Sequence, residues 1–257
     1  MLSKNKIKLI HSLSRKKTRD EEKLFLAEGD KLVKEALASG YTVSLLCGTS
    51  AFFSSCTIQK SKAAEIIEVS EEELKKASLL QSPQHALAVV RIPDEPGEPQ
   101  PLPDSLVLAL DSVRDPGNLG TILRIADWFG IGTVFCSPET ADCYNPKVVQ
   151  SSMGAIFRVK VRYLYLPALL ADAANHGLPV YGTFLNGESL YTRLLSDRGI
   201  LVMGNEGKGI SPEVESRITD RLFIPSYPPG QQSSESLNVA TATAICCAEF
   251  RRRTQPL

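Results

Sequence analysis

The chain reads as an α/β protein built on a mainly parallel sheet. Short apolar runs at Leu106–Leu110, Thr133–Cys136 and Ile200–Met203 have the length and composition of buried strands. Stretches with helical spacing alternate with them, and that alternation predicts a sheet covered on both faces. A glycine loop, Gly204-Asn205-Glu206-Gly207-Lys208-Gly209, follows the last of these runs directly. The end of a strand in such a sheet is where ligands bind.

In chain order, the stretch from Met1 to Arg19 carries only positive charges: Lys4, Lys6, Lys8, Arg15, Lys16, Lys17 and Arg19. It reads either as a basic arm that touches phosphates or as a solvated tail. Leu24–Gly29 reads as a strand ending in a turn. Asp30 opens a helix to Ala38, with Leu32, Val33, Ala36 and Leu37 on one face. Thr42–Cys47 is a second strand. Ser70-Glu71-Glu72-Glu73 is a capping box that starts a helix to about Ala77, and Ala86–Ile92 is another strand. His85 is expected to be structural. Five prolines between Pro93 and Pro103 read as a semi-rigid linker, which gives a basic arm and first domain over 1–92, a linker over 93–104 and a second domain over 105–257.

Beyond the linker the expected elements are a helix from Asn118 to Phe129, a helix over Pro146–Met153 and a strand over Val159–Val161. A helix over Pro167–Asn175 and a strand over Pro179–Phe184 follow. After the glycine loop come an N-cap at Ser211-Pro212, a strand over Leu222–Pro225 and a helix of small apolar residues from about Ser236.

Composition narrows the function. Lys+Arg 29 balances Asp+Glu 29 over 257 residues, so the global charge points to no nucleic-acid partner. The six cysteines form no C-x-x-C and no Cys/His cluster, so zinc is not expected; thiols inside a strand and a helix suit a reducing compartment. There is no long apolar span and no signal-peptide core, and a cytoplasmic protein is expected. Gly204–Gly209 runs G-x-x-G-x-G, which is neither the dinucleotide fingerprint nor a P-loop. Taken alone it is a tight turn, and Arg124 taken alone is a solvated helix charge.

Three segments together point further. They are D-x-V-x-D-P-x-N-x-G-x-x-x-R (Asp111–Arg124), L-V-M-G-N-E-G-x-G (Leu201–Gly209), and Ile224-Pro225 followed by E-S-L-N-V-A (Glu235–Ala240). In this order and spacing the chain resembles the SpoU/TrmH family of RNA ribose 2′-O-methyltransferases. Leu24–Ala38 resembles the small ribosomal-protein-like RNA-binding domain that many members carry ahead of the catalytic one.

The resemblance implies a SPOUT-type sheet with a C-terminal trefoil knot, an S-adenosylmethionine (AdoMet) cofactor and a homodimer. It implies that Gly204, Ile224 and Leu237, joined by Thr183, line the cofactor pocket. Asn118, Arg124, Glu206, Ser236 and Asn238 match its catalytic set, with Arg124 as base or as a cation that stabilises the ribose oxyanion and grips phosphate. Glu206 is given a second reading, as an acceptor of backbone N–H bonds in its loop. One departure is Ser226–Ser234, longer and richer in proline than the family's usual connection. The implied activity is AdoMet-dependent 2′-O-methylation of RNA, ribosomal rather than transfer RNA, without metal. The alternatives are the same chemistry on transfer RNA and a non-catalytic RNA- or ribosome-binding assembly factor.

Overall fold

The computed structural model describes residues 2–55, 63–94, 104–228 and 236–254. The elements run α1 (Lys4–Ser12), α2 (Lys16–Glu22), β1 (Leu24–Glu28), α3 (Asp30–Ala38), β2 (Val43–Gly48), α4 (Ser50–Ser55), β3 (Ile66–Glu68), α5 (Glu71–Ala77) and β4 (Ala86–Arg91). Then come β5 (Leu106–Leu110), α6 (Pro116–Trp128), β6 (Thr133–Cys136), α7 (Pro146–Ser152), β7 (Lys160–Tyr163), α8 (Leu166–Asn175), β8 (Val180–Phe184), β9 (Glu188–Ser189), β10 (Gly199–Met203), α9 (Pro212–Glu215), β11 (Asp220–Phe223) and α10 (Val239–Thr254). They form two compact units, Met1–Pro99 with Asp142–Arg158, and Gln100–Ala141 with Val159–Leu257. Most of the expected linker, residues 95–103, lies outside the described residues, as do residues 229–234 of the proline-rich loop.

The first unit is a four-stranded sheet in the order β1-β4-β2-β3. β4 runs antiparallel to β1 and β2, while β3 pairs parallel with β2. The capping box forms as expected: Ser70 accepts from the Glu73 N–H while Glu73 accepts from the Ser70 N–H. Glu73 also accepts from the Leu2 N–H, and these backbone donors hold its carboxyl below the usual range.

The basic N-terminal stretch is folded, which corrects its reading as an arm or tail. Leu2, Ile10 and Leu13 lie in the same core as Leu26, Leu45 and Leu87, with Ile7 packed against them. Burying such side chains contributes about 1.5–3 kcal/mol each, enough to hold a short helix that would be marginal alone. Arg19 is 2% exposed and belongs to this unit's interior. Its Nη1 donates to the Leu13 and Ser14 carbonyls at 2.8 and 3.0 Å, and its Nε and Nη2 donate to the Asp142 carboxylate.

Asp142–Arg158, read from the sequence as part of the second domain, packs within the first unit. Phe25 stacks on Tyr144, and Tyr41 meets Phe157 edge-on, with centroids 4.7 and 5.3 Å apart. Tyr41 Oη donates to the Ile156 carbonyl, and Arg158 pairs with Glu35.

The second unit holds a seven-stranded sheet in the order β7-β6-β5-β10-β8-β11-β9, and its registered pairs are parallel. Every residue of β5 and β10 is buried, which explains their unbroken apolar sequences. Because the strands are parallel, the ends of β5, β10, β8 and β11 open on one edge. The chain reaches these neighbours out of order: β10 comes between β5 and β8, although β8 precedes it in sequence. α10 packs along α6, where Arg251 Nε donates to the Phe129 carbonyl at 2.7 Å.

Candidate functional site

Loops at the C-terminal edge of this sheet carry the motif residues. Asp111, at the end of β5, is 4% exposed, and its Oδ2 accepts the Ser211 N–H at 2.7 Å. One buried carboxylate thus ties the loop after β5 to the residue that precedes α9. Asp115 then caps α6, accepting from the Asn118 N–H at 2.8 Å, with Pro116 at the first helical position. This cap starts α6 two residues ahead of the sequence expectation and fixes the first turn from which Asn118 projects.

The glycine loop after β10 closes on itself. The Asn205 and Gly209 backbones exchange two hydrogen bonds of 2.8 and 2.9 Å. Gly204 is required at its place because a Cβ there would lie 2.3 Å from the Gly209 carbonyl carbon and 2.4 Å from the Ile210 nitrogen. The Asn205 Oδ1 accepts from both the Gly207 and Lys208 N–H groups at 3.0 Å. The sequence alone suggests Glu206 for this acceptor role. The structure gives it to the neighbouring residue, whose shorter side chain folds back over the turn.

Glu206 instead faces side chains. Its Oε1 accepts from Asn118 Nδ2 at 2.9 Å, and its Oε2 from Asn205 Nδ2 at 3.3 Å. Asn118 Oδ1 accepts from Asn238 Nδ2 at 3.0 Å. The Asn238 Oδ1 accepts from the Ala240 and Thr241 N–H groups at 2.9 and 3.2 Å, so Asn238 is the N-cap of α10. The helix therefore begins at Val239, three residues after its expected start, and Ser236 lies in the preceding segment, exposed.

The structure thus brings Asn118, Glu206 and Asn238 into one bonded chain. It does not bring Arg124 or Ser236 into that chain. Arg124 lies on the exposed side of α6 and makes no hydrogen bond or ion pair among the described residues. Thr183 sits near the end of β8, which pairs with β10, and Ile224 follows β11, which pairs with the other side of β8. Leu237, 49% exposed, directly precedes the Asn238 cap. Thr183 Oγ1 lies 3.5 Å from the Val202 carbonyl, to which it donates.

Sequence reasoning missed Asn205 and Asp111 as site-building residues. Both lie inside the quoted motifs, and the Asn-x-Gly-Lys turn chemistry was the available signal for Asn205. Among the described residues no group of His, Cys, Asp and Glu could hold a metal ion, and no helix is long and apolar enough to cross a membrane. Burial pushes the Cys47 and Cys247 thiols up to about 12, which makes them packing groups and not nucleophiles.

A parallel sheet whose strand ends present a closed glycine loop and the capped start of a helix is the arrangement of a ligand-binding α/β protein. Comparison with known proteins then gives the family. Residues 105–248 match the SpoU rRNA Methylase family, and residues 4–88 match the MRM3-like substrate binding domain. The chain belongs to the SpoU family, whose cofactor is S-adenosylmethionine. It is 34% identical to the Bacillus subtilis 23S rRNA (guanosine(2553)-2′-O)-methyltransferase RlmP, over 96% of each chain. Among solved structures it is similar to a Porphyromonas gingivalis protein assigned to the TrmH family of RNA methyltransferases, at 47% identity and a TM-score of 0.87, covering 98% of this chain and 99% of that one. An AdoMet-bound rRNA methyltransferase from Sinorhizobium meliloti matches at 30% identity and a TM-score of 0.86, covering 100% and 97%.

Proposed function

We propose that this protein methylates the 2′-hydroxyl of a ribose in ribosomal RNA, with AdoMet as donor. The observation that carries the reading is the assembly of Asn118, Glu206 and Asn238 from three distant segments onto α6, the helix that also carries the solvent-facing Arg124. A module that only binds RNA has no need of that set. The relative's named target makes the nucleotide equivalent to guanosine 2553 of 23S rRNA the first position to map. The substrate is held by the first unit, where Lys4, Lys8, Arg15, Lys16 and Lys17 are exposed. The C-terminal stretch is threaded as a trefoil knot, the protein works as a homodimer, and it acts in the cytoplasm.

The residues present fit the cofactor. Ile224 and Leu237 offer aliphatic surface to a flat base, and the glycine loop lets a ligand approach its backbone without side-chain obstruction at Gly204, Gly207 and Gly209. Gly204, Thr183, Ile224 and Leu237 would hold AdoMet, which supplies an electrophilic sulfonium methyl when bound. The ribose oxygen would take that methyl, leaving the donor as a neutral thioether, and the hydroxyl proton would pass to solvent water. The Arg124 guanidinium stabilises the oxygen as it loses that proton and grips the adjoining phosphate. Asn118, Glu206 and Asn238 orient the loops around it, and Ser236 contributes a hydroxyl at the entrance to α10.

The test is transfer of labelled methyl from AdoMet to ribosomal RNA, followed by mapping of ribose methylation. Arg124→Ala is expected to keep AdoMet affinity in calorimetry while turnover falls on the order of 100- to 1,000-fold, the usual cost of removing one oxyanion-stabilising donor. Wild-type turnover by Arg124→Ala would remove Arg124 from the mechanism.

A further inference from the structure

The bonded chain through Glu206 has a fixed direction. Side-chain amides can ordinarily be turned end for end, but here both ends are anchored by backbone groups that cannot turn. At one end the Asn238 Oδ1 accepts from the Ala240 and Thr241 N–H groups, which leaves its Nδ2 to donate to Asn118. Asn118 must then present its Oδ1 to Asn238 and its Nδ2 to Glu206. At the other end the Asn205 Oδ1 accepts from Gly207 and Lys208, and its Nδ2 donates to the Ser112 carbonyl at 2.7 Å and to Glu206. Donors therefore run toward Glu206 from both sides. A carboxylate is acceptor-only and can terminate two such runs, whereas an amide in the same place cannot.

We propose that Asn205, Glu206, Asn118 and Asn238 act as a directed hydrogen-bond relay of positioning residues. The relay locks the glycine loop and the N-terminus of α10 onto α6, the helix that carries Arg124. Each Glu206 oxygen accepts an amide donor, and the relay assigns this carboxylate to holding the loop rather than to the chemistry. Asn205, which lies inside the second motif but is not among the residues given a role there, is the anchor that holds Glu206 to the loop. The functional half of this inference rests on the methyltransferase reading above; the relay itself is a statement about folding.

Reversing the relay tests it. In Asn238→Asp the helix cap survives, because Asp caps as well as Asn. The second oxygen of the new carboxylate, however, faces Asn118 Oδ1. Turning Asn118 over only moves the clash to Glu206, so one link always sets acceptor against acceptor. Asn118 is half-buried while Glu206 and Asn238 are exposed, so water relieves part of the mismatch, and turnover should fall on the order of threefold to tenfold. In Glu206→Gln one link is lost whichever way the new amide is turned. In the double variant the carboxylate at position 238 accepts from Asn118, and Asn118 in turn accepts from the amide nitrogen at position 206. The amide oxygen at position 206 accepts from Asn205. Every link is restored, with the bonds between positions 206 and 238 reversed in direction, and the net charge of the site is unchanged.

Turnover and thermal midpoint are read for the wild type, both single variants and the double variant. The expected result is a double variant better than Asn238→Asp by about threefold or more in turnover, with its midpoint restored. A double variant no better than Asn238→Asp overturns the relay. A restored midpoint with turnover still lost overturns the positioning role and returns Glu206 to the chemistry. If the wild type methylates no RNA, the methyltransferase reading fails while the midpoints still decide the relay.

Discussion

Arg19 gives the sharpest stability prediction. It is almost fully buried, at 2% exposure, and four of its bonds are made inside the first unit. Arg19→Met keeps the aliphatic stem but removes every guanidinium donor. The Leu13 and Ser14 carbonyls at the end of α1 then lose their donor, and Asp142, whose side chain is 17% exposed, keeps the Tyr144 N–H at its other oxygen. Removing one partner of a buried pair costs about 3–5 kcal/mol, and the partial exposure of Asp142 places this case at about 3 kcal/mol. For a unit of roughly a hundred residues each kcal/mol shifts the midpoint by about 4–8 °C, so the first unit should melt about 12–24 °C lower. Circular dichroism during heating is the assay, with Asp142→Leu and the double variant completing a cycle. The double variant should recover most of the loss, because an apolar pair leaves no stranded charge. An Arg19→Met protein melting within about 3 °C of wild type would refute this reasoning and restore the stretch from Met1 to Arg19 to the status of a tail.

Replacing Lys4, Lys8 and Lys16 by alanine, rather than deleting the folded stretch, should weaken RNA binding with the thermal midpoint unchanged. The salt dependence should flatten by about 0.7–0.9 in log–log slope for each phosphate no longer neutralised. Titration of affinity against salt checks this; an unchanged slope places the RNA elsewhere. Hydrogen bonds from Arg252, and then from Arg253, hold the Glu249 carboxyl down to about 2 from 4.5. Its contribution to stability is therefore present above pH 4.5 and lost as pH falls toward 2, and Glu249→Gln should flatten the acid limb of the stability profile over that window. A fragment starting near Pro103 carries Val148, Val149, Ile156 and Phe157, which are buried residues of a segment packed in the first unit. Dye binding and light scattering should show exposed apolar surface in that fragment, and a monodisperse, dye-silent fragment would show that the segment packs without the first unit.

The strands of the second unit were legible because β5 and β10 are buried on both faces, so Leu106–Leu110 and Ile200–Met203 read as unbroken apolar runs. α6 was legible from Leu119, Ile122, Leu123 and Ala126, although its start required recognising Asp115 as a cap and not Asn118 as the first residue. α1 and α2 were not legible, because seven positive charges masked the apolar spacing of Ile7, Ile10 and Leu13. The short β3 and β9 carry too few residues to show a period. The place of Asp142–Arg158 is a tertiary fact, fixed by Arg19 and Phe25 more than a hundred residues earlier, and no local pattern encodes it. The site divides the same way. Motif resemblance picked out Asn118, Glu206 and Asn238, yet their bonds span 88 and 120 positions and were not to be found in any one motif. What a motif cannot carry is direction. Only the backbone donors of Ala240, Thr241, Gly207 and Lys208, seen in place, decide which end of each amide faces Glu206. That decision makes a carboxylate, and not an amide of the same shape, the residue the loop requires at that position.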